Sequence, residues 1–266
     1  MKRRTLLKYM AGAAVACPTC LSVASAFAGE TKPAAGSGGH ASAARWGYSG
    51  DDGPKNWGDI SPAYTACSGG VQQSPINLQG SVSARLDDVQ VNYADTSLNV
   101  VNNGHTIQIN TDPGSSIQLG GETYDLLQFH FHHPSEHLLS GKPYEMEAHY
   151  VHASKSGGLA VLGVFIGLGA VNSLLTPVWA AMPREAGQKS QSNTRINPEQ
   201  LLPTNRQLFR YYGSLTTPPC SEKVIWSLYS TPVEASRRQI RQFADIFPMN
   251  ARPVQGLNRR MLLKSL

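Results

Sequence analysis

The chain has 266 residues, 41% of them hydrophobic and 15% charged, with 25 Gly and 17 Pro; this is the composition of a folded, turn-rich protein and excludes a disordered one. Its formal charge of +5 arises mostly at the start, where Lys2, Arg3, Arg4 and Lys8 precede the first acid, Glu30. Without those four, 19 basic residues face 18 acidic ones, so nothing argues for nucleic-acid binding.

Residues 1–28 read as an export signal. Lys2-Arg3-Arg4 leads into a weakly apolar stretch from Tyr9 to Val23, and Ala26-Phe27-Ala28 supplies the small residues a signal peptidase needs, with cleavage after about Ala28. The run Arg3-Arg4-Thr5-Leu6-Leu7-Lys8 also resembles a twin-arginine signal; an ordinary secretion signal with two adjacent arginines fits equally well. Lys8 and several Gly, Pro and Ser residues interrupt the apolar run, which argues against a transmembrane anchor. The expected location is the periplasm or the outside of the cell. Cys17 and Cys20 belong to this leader, leaving Cys67 and Cys220, and two cysteines in an exported chain suggest one disulfide. Residues 29–44 are rich in Gly, Ala and Ser and read as a flexible linker. Residues 45–266 contain no second linker and read as one domain.

Strand signals dominate that domain. Leu98–Val101 and His105–Ile109 flank the turn Asn102-Asn103-Gly104, a hairpin. Tyr124–His132 and Tyr144–His152 alternate as strands do, and Leu159–Ile166 is a continuous apolar run of the kind buried on both faces. Lys223–Tyr229 is a further strand. Two helices are expected, over 171–181 and over 237–246, the second opened by a capping box of Ser236 and Gln239. The fold class is therefore mainly β (α+β), with a large central sheet and peripheral helices. Residues 183–205 read only as a surface loop.

The chemistry concentrates in Gln128-Phe129-His130-Phe131-His132. Alternation along a strand puts Gln128, His130 and His132 on one face and the two phenylalanines on the other, towards the core. On the next strand Glu145, Glu147, His149 and Val151 share a face. If the two strands are neighbours, His130, His132 and His149 form a set of three imidazoles, a donor set that suits zinc, with a fourth position left for water as in a catalytic site. Ligand histidines need an outer partner to fix tautomer and orientation, and Gln128 and Glu147 stand on the right faces to serve.

The sequence resembles the alpha-class carbonic anhydrases, in particular the bacterial exported members. The resemblance runs from Trp46-Gly47-Tyr48 to Asn250-Ala251-Arg252-Pro253-Val254-Gln255. It rests on Gly53-Pro54 with Trp57, Gln73-Ser74-Pro75-Ile76, Asn103-Gly104-His105, Gln128–His132, Ser135-Glu136-His137, Glu147–His152 and Gly213–Cys220, in the order the family has them. It implies a single catalytic domain over 45–266, built on a mostly antiparallel twisted sheet of about ten strands. It also implies one Zn2+ per chain on His130, His132 and His149, with Gln128 and Glu147 behind them. The reaction implied is hydration of carbon dioxide to bicarbonate by a metal-bound hydroxide. Carbonic anhydrase is itself the reference case for such a site and for the pKa of about 7 it gives bound water.

By the same resemblance Thr216 accepts a hydrogen bond from the hydroxide and donates its own to Glu136. Thr216, Thr217, Val151, Val161, Leu215 and Trp226 contact the substrate, and an apolar wall is what a nonpolar gas requires. His105 is the proton shuttle, a histidine able to titrate near neutrality. Tyr48, Asn103 and Gln108 line the water path to it, and Cys67 pairs with Cys220. His133 is expected at the rim, and His137 and His152 as structural residues. Lys223 stands where the family commonly has a small residue, which the sequence does not explain. A noncatalytic binding module and a zinc esterase are the alternative functions, and a homodimer is compatible with the chain.

Overall fold

The computed structural model describes residues 44–266. The expected signal, and the expected linker apart from its last residue, lie outside the described residues. In chain order the strands are β1 (Asn77–Leu78), β2 (Val82–Ala84), β3 (Gln90–Asn92), β4 (Thr96–Asn102), β5 (Ile107–Asn110), β6 (Ser116–Leu119), β7 (Glu122–His132), β8 (Leu138–Leu139), β9 (Met146–Ser154), β10 (Leu159–Leu168), β11 (Lys189–Ile196), β12 (Leu208–Ser214), β13 (Glu222–Tyr229), β14 (Val233–Ala235) and β15 (Leu263–Ser265). Four short α-helices accompany them: α1 (Trp57–Ile60), α2 (Ala66–Gly69), α3 (Leu175–Ala180) and α4 (Arg237–Ala244).

One 13-stranded sheet carries the molecule, its main path running β11-β4-β5-β7-β9-β10-β13-β12-β15-β2. Most of its pairs are antiparallel, as expected, but the sheet is mixed: β10 runs parallel to β13 and to β14, and β15 runs parallel to β2. β10 lies between β9 and β13 in the middle of the path, which accounts for its unbroken apolar sequence.

A bulge in β7 decides which way the histidines point. Leu126 pairs with His152 and Gln128 with Val151, so Leu127 is an extra residue in the ladder. Before the bulge Tyr124 and Leu126 face the main core; after it Phe129 and Phe131 do. The one-residue slip exchanges the faces of the strand, and Gln128, His130 and His132 are delivered to the opposite side. The main core includes Leu174, Leu175, Val178 and Trp179 around α3 and Ile240 and Phe243 of α4, with Phe131 edge-on to Trp179 at 4.8 Å. A second apolar cluster contains Val151, Val161 and Trp226. A third gathers Trp46, Trp57, Tyr64, Cys67 and Cys220.

Several sequence expectations change in detail. The hairpin turn is longer than expected: Asn103 Oδ1 accepts the N–H groups of His105 and Thr106, β5 begins only at Ile107, and His105 sits on the turn. The first helix starts at Leu175 rather than 171, because Asn172 Oδ1 caps the N–H groups of Leu174 and Leu175. The second carries its capping box. Residues 183–205 are more than surface loop: β11 pairs with β4, and a 3-10 turn at Pro198–Leu201 buries Leu201. Lys223 also finds its account. Gly213 pairs with Val224 and Ser214 with Glu222, which leaves Lys223 as a bulge residue, at φ +72°. Left-handed backbone of this kind favours glycine.

Candidate active site

His130 on β7 lies directly across from His149 on β9, and His132 follows two residues along. The three rings have centroids 4.5–5.3 Å apart, and one nitrogen from each falls within 4.8 Å of the others. The other nitrogen of each ring is committed to an acceptor. His130 Nδ1 faces Gln128 Oε1 at 2.9 Å, His132 Nδ1 faces the Asn250 carbonyl at 2.7 Å, and His149 Nε2 faces Glu147 Oε1 at 2.8 Å. Each acceptor takes the ring proton, so the lone pairs of His130 Nε2, His132 Nε2 and His149 Nδ1 converge. Burial, with repulsion by His132 and His149, holds His130 well below its ordinary value; burial likewise lowers His132. Both are neutral at pH 7, as metal ligands must be.

Glu136 completes the charge balance. Its Oε1 accepts the Arg252 N–H at 2.8 Å, while Oε2 is buried without a hydrogen bond and lies 3.5 Å from His132 Nε2 and 3.8 Å from His149 Nδ1. His132 Nε2 is likewise buried and unpartnered. Lone pairs facing one another in a dry site are costly unless a cation lies among them, so the donor set fits a metal ion on His130, His132 and His149. The Thr216–Glu136 hydrogen bond implied by the resemblance is not closed: among the described residues the Thr216 hydroxyl has no hydrogen bond, while one Glu136 oxygen is held by Arg252 and the other faces the imidazoles.

Behind the ligands runs a buried chain the sequence did not reveal. Glu147 Oε1 also meets His137 Nδ1 at 2.8 Å, His137 Nε2 meets Tyr211 Oη at 2.7 Å, and Tyr211 Oη meets Ser74 Oγ at 2.8 Å. Burial alone would raise the Glu147 pKa, but attraction to His137 and His149 outweighs it and holds the carboxyl well below the usual range. His137 is thus structural, as expected, but it acts on a ligand's partner. His152 faces away, its Nε2 2.7 Å from Tyr93 Oη. His133 is half-buried, its Nδ1 3.0 Å from the Pro248 carbonyl.

The apolar wall is assembled by register. Val151, Val161 and Trp226 are opposite one another on β9, β10 and β13, with Leu215 packed against their cluster. The Trp226 ring stands 4.8 Å from His149. Thr216 is buried and Thr217 half-buried on the loop that follows β12. That loop is held by the Cys67–Cys220 disulfide, which joins segments 153 residues apart. On the other side of the ligands, Gln108 pairs with His130 and its amide carries a polar row from Asn103 to Asn110. Tyr48 packs against Trp46 and Trp57; burial, and then the Glu136 charge, raise its pKa. His105 is half-buried with its ring stacked on Trp46 at 3.6 Å and 6°, and burial lowers its pKa.

Asn250 was legible as a motif residue, not as a site residue. Its carbonyl orients His132, and its side chain donates to the carbonyls of His105 and Phe131. A backbone acceptor leaves no residue-type signal, so only the fold exposes it.

Known proteins resemble this chain over nearly all the described residues. A family model described as eukaryotic-type carbonic anhydrase matches residues 52–266. A carbonic anhydrase of Nostoc sp. is 47% identical over 83% of this chain and 86% of its own length. One from Pectobacterium carotovorum is 40% identical over 82% and 90%. Among solved structures, an alpha-carbonic anhydrase of Thermovibrio ammonificans in complex with the inhibitor sulfanilamide superposes with a TM-score of 0.81 at 49% identity, covering 84% of this chain and all of that one. With a family model over residues 52–266 and relatives 40–47% identical over more than four-fifths of its length, the chain belongs to the alpha-class (eukaryotic-type) carbonic anhydrase family.

Proposed function

We propose that the protein is an exported zinc enzyme that interconverts carbon dioxide and water with bicarbonate and a proton. The observation that carries this reading is the convergence of three imidazole lone pairs within 4.8 Å, each tautomer fixed by a separate acceptor. Three neutral nitrogens suit zinc, and when bound it supplies Lewis acidity that makes hydroxide available near neutral pH, for which carbonic anhydrase is the reference case.

The remaining chemistry belongs to the chain. Val151, Val161, Leu215 and Trp226 receive a gas that offers no charge to bind. Thr216, with Glu136 behind it, orients the attacking oxygen, and the Thr216 and Thr217 segment contacts the anionic product. His105 takes up the released proton through waters along Tyr48, Asn103 and Gln108 and passes it to buffer. Its stacking on Trp46 gives the ring a defined resting place. Export is supported by the disulfide, and no helix among the described residues is long and apolar enough to cross a membrane.

Stopped-flow carbon dioxide hydration by residues 29–266, with zinc content measured in parallel, tests the reading. Turnover should be fast, sensitive to sulfanilamide and accompanied by one zinc per chain. His130→Ala should lose both zinc and turnover; hydration at the wild-type rate by that variant would refute the ligand assignment.

A further inference from the structure

Arg252 is a cation set in the interior, 2% exposed, with no ion pair to any carboxylate among the described residues. A buried guanidinium is costly unless its N–H groups are satisfied and its charge is answered. Here Nε is buried without a hydrogen bond, and the two terminal nitrogens are answered from separate parts of the chain. Nη2 donates to the Cys67 carbonyl at 2.8 Å; Nη1 donates to Gln73 Oε1 at 2.9 Å and to the Ser74 carbonyl at 2.8 Å. The guanidinium lies 5.5 Å from the Trp57 ring centre. Gln73 extends the reach, since its Nε2 donates to the Cys220 carbonyl at 3.1 Å. One side chain therefore gathers the carbonyls of both disulfide cysteines, the first directly and the second through Gln73.

The backbone of the same residue points at the reaction. The Arg252 N–H is the hydrogen-bond donor to Glu136 Oε1, the carboxylate whose other oxygen faces His132 and His149. Two residues earlier, Asn250 holds His132 through its carbonyl. Cys220 in turn closes the turn after Thr216, its N–H donating to the Thr217 carbonyl at 2.9 Å. Glu136 is thus tied to the backbone of Arg252, and the Thr216 loop is tied through the disulfide and Gln73 to the guanidinium of the same residue.

We propose that Arg252 is a positioning residue that makes the Cys67–Cys220 disulfide part of one scaffold holding both Glu136 and the Thr216 loop. The inference rests on the hydration reading given above. A planar fork with fixed N–H directions holds several carbonyls at once, which the single ammonium of lysine does not. Burial brings the Arg252 pKa down to about 10, against the pull of Glu136.

A double-mutant cycle on the zinc-loaded protein tests this. Arg252→Met, Arg252→Lys, Cys67→Ala with Cys220→Ala, and the combination of the first with the third are compared by kcat and KM per titrated active site, zinc content, and sulfanilamide affinity. Arg252→Met should lower kcat by about 10-fold, the lower end of what outer-shell partners cost, with KM and zinc per chain nearly unchanged and sulfanilamide binding weakened. Arg252→Lys should restore only part of the loss. The combined variant should be no slower than Arg252→Met alone, because both changes cut the same tie. Losses that multiply would overturn the proposal, as would wild-type kcat per site and sulfanilamide affinity in an Arg252→Met protein that is merely less stable. Should Arg252→Met not fold, Gln73→Met breaks the arm to Cys220 while leaving the guanidinium in place, and the same cycle applies. Absence of hydration by zinc-loaded wild type would sink the functional reading instead; sulfanilamide affinity would still report on Arg252.

Discussion

Lys223 holds φ at +72° in the bulge between β12 and β13, where a Cβ crowds the backbone and glycine does not. Lys223→Gly should therefore raise the free energy of unfolding by about 0.5–1 kcal/mol, and Lys223→Val, branched at Cβ, should lower it; urea titration reads both. Glu147 gives the opposite case, a residue bound to its charge. It accepts from His149, from the His137 ring and from the His137 N–H, and replacing it by Gln turns one oxygen into a donor facing donors. Glu147→Gln should weaken zinc binding by roughly 10- to 100-fold, measured by competition with a chelator. Both residues bear on what could be read beforehand. The convergence of His130, His132 and His149 and the hydrogen-bond partners Gln128 and Glu147 were legible because alternation along a strand fixes which side chains share a face. The strain at Lys223 was not, since a positive φ arises from the pairing of two strands distant in sequence. The partners His137, Tyr211 and Ser74 met in one chain only after three segments had folded together.

Among elements, α4 shows a local signal that reached further than its own helix. Ser236 Oγ accepts the Gln239 N–H, and Gln239 Oε1 accepts the Ser236 N–H, the reciprocal box read from the sequence. The same Gln239 amide accepts the Asn172 N–H and donates to the Asn172 carbonyl, in the segment that caps α3. The two helices that close the main core are thus pinned through one side chain. Ser236→Ala should cost about 1 kcal/mol, the worth of an N-cap. Gln239→Ala should cost more, about 2 kcal/mol, because it also strands buried donors and acceptors of the Asn172 turn; equal losses in urea unfolding would show that the link between the helices carries no energy. The strand signals were mostly legible, but the bulge at Leu127 was not. Tyr124–His132 alternates well enough to pass for one uninterrupted strand, and only the pairing with β9 exposes the slip that turns the histidines out of the core.

At the scale of the whole molecule, what stayed hidden in the sequence is the order of the sheet. The parallel pairing of β10 with β13 joins segments about sixty residues apart, and no local pattern names the neighbour a strand will take. That order also buries His152, whose Nε2 meets Tyr93 Oη at 2.7 Å while its Nδ1 faces the Ala160 carbonyl at 3.2 Å. Burial lowers its pKa to about 3, backbone hydrogen bonds offsetting only part of the shift. Unfolding returns the ring to water and to its ordinary value near 6.5. Between those limits the unfolded chain holds a proton the folded one refuses, so stability is full above about pH 6.5 and falls as pH is lowered, by up to about 1.4 kcal/mol per pH unit for this one group. His152→Gln keeps an acceptor for Tyr93 and a donor for Ala160 but does not titrate. Urea unfolding at pH 7 and at pH 5 should show a smaller loss for this variant than for wild type. An identical loss in the two proteins would place the acid sensitivity of the fold elsewhere.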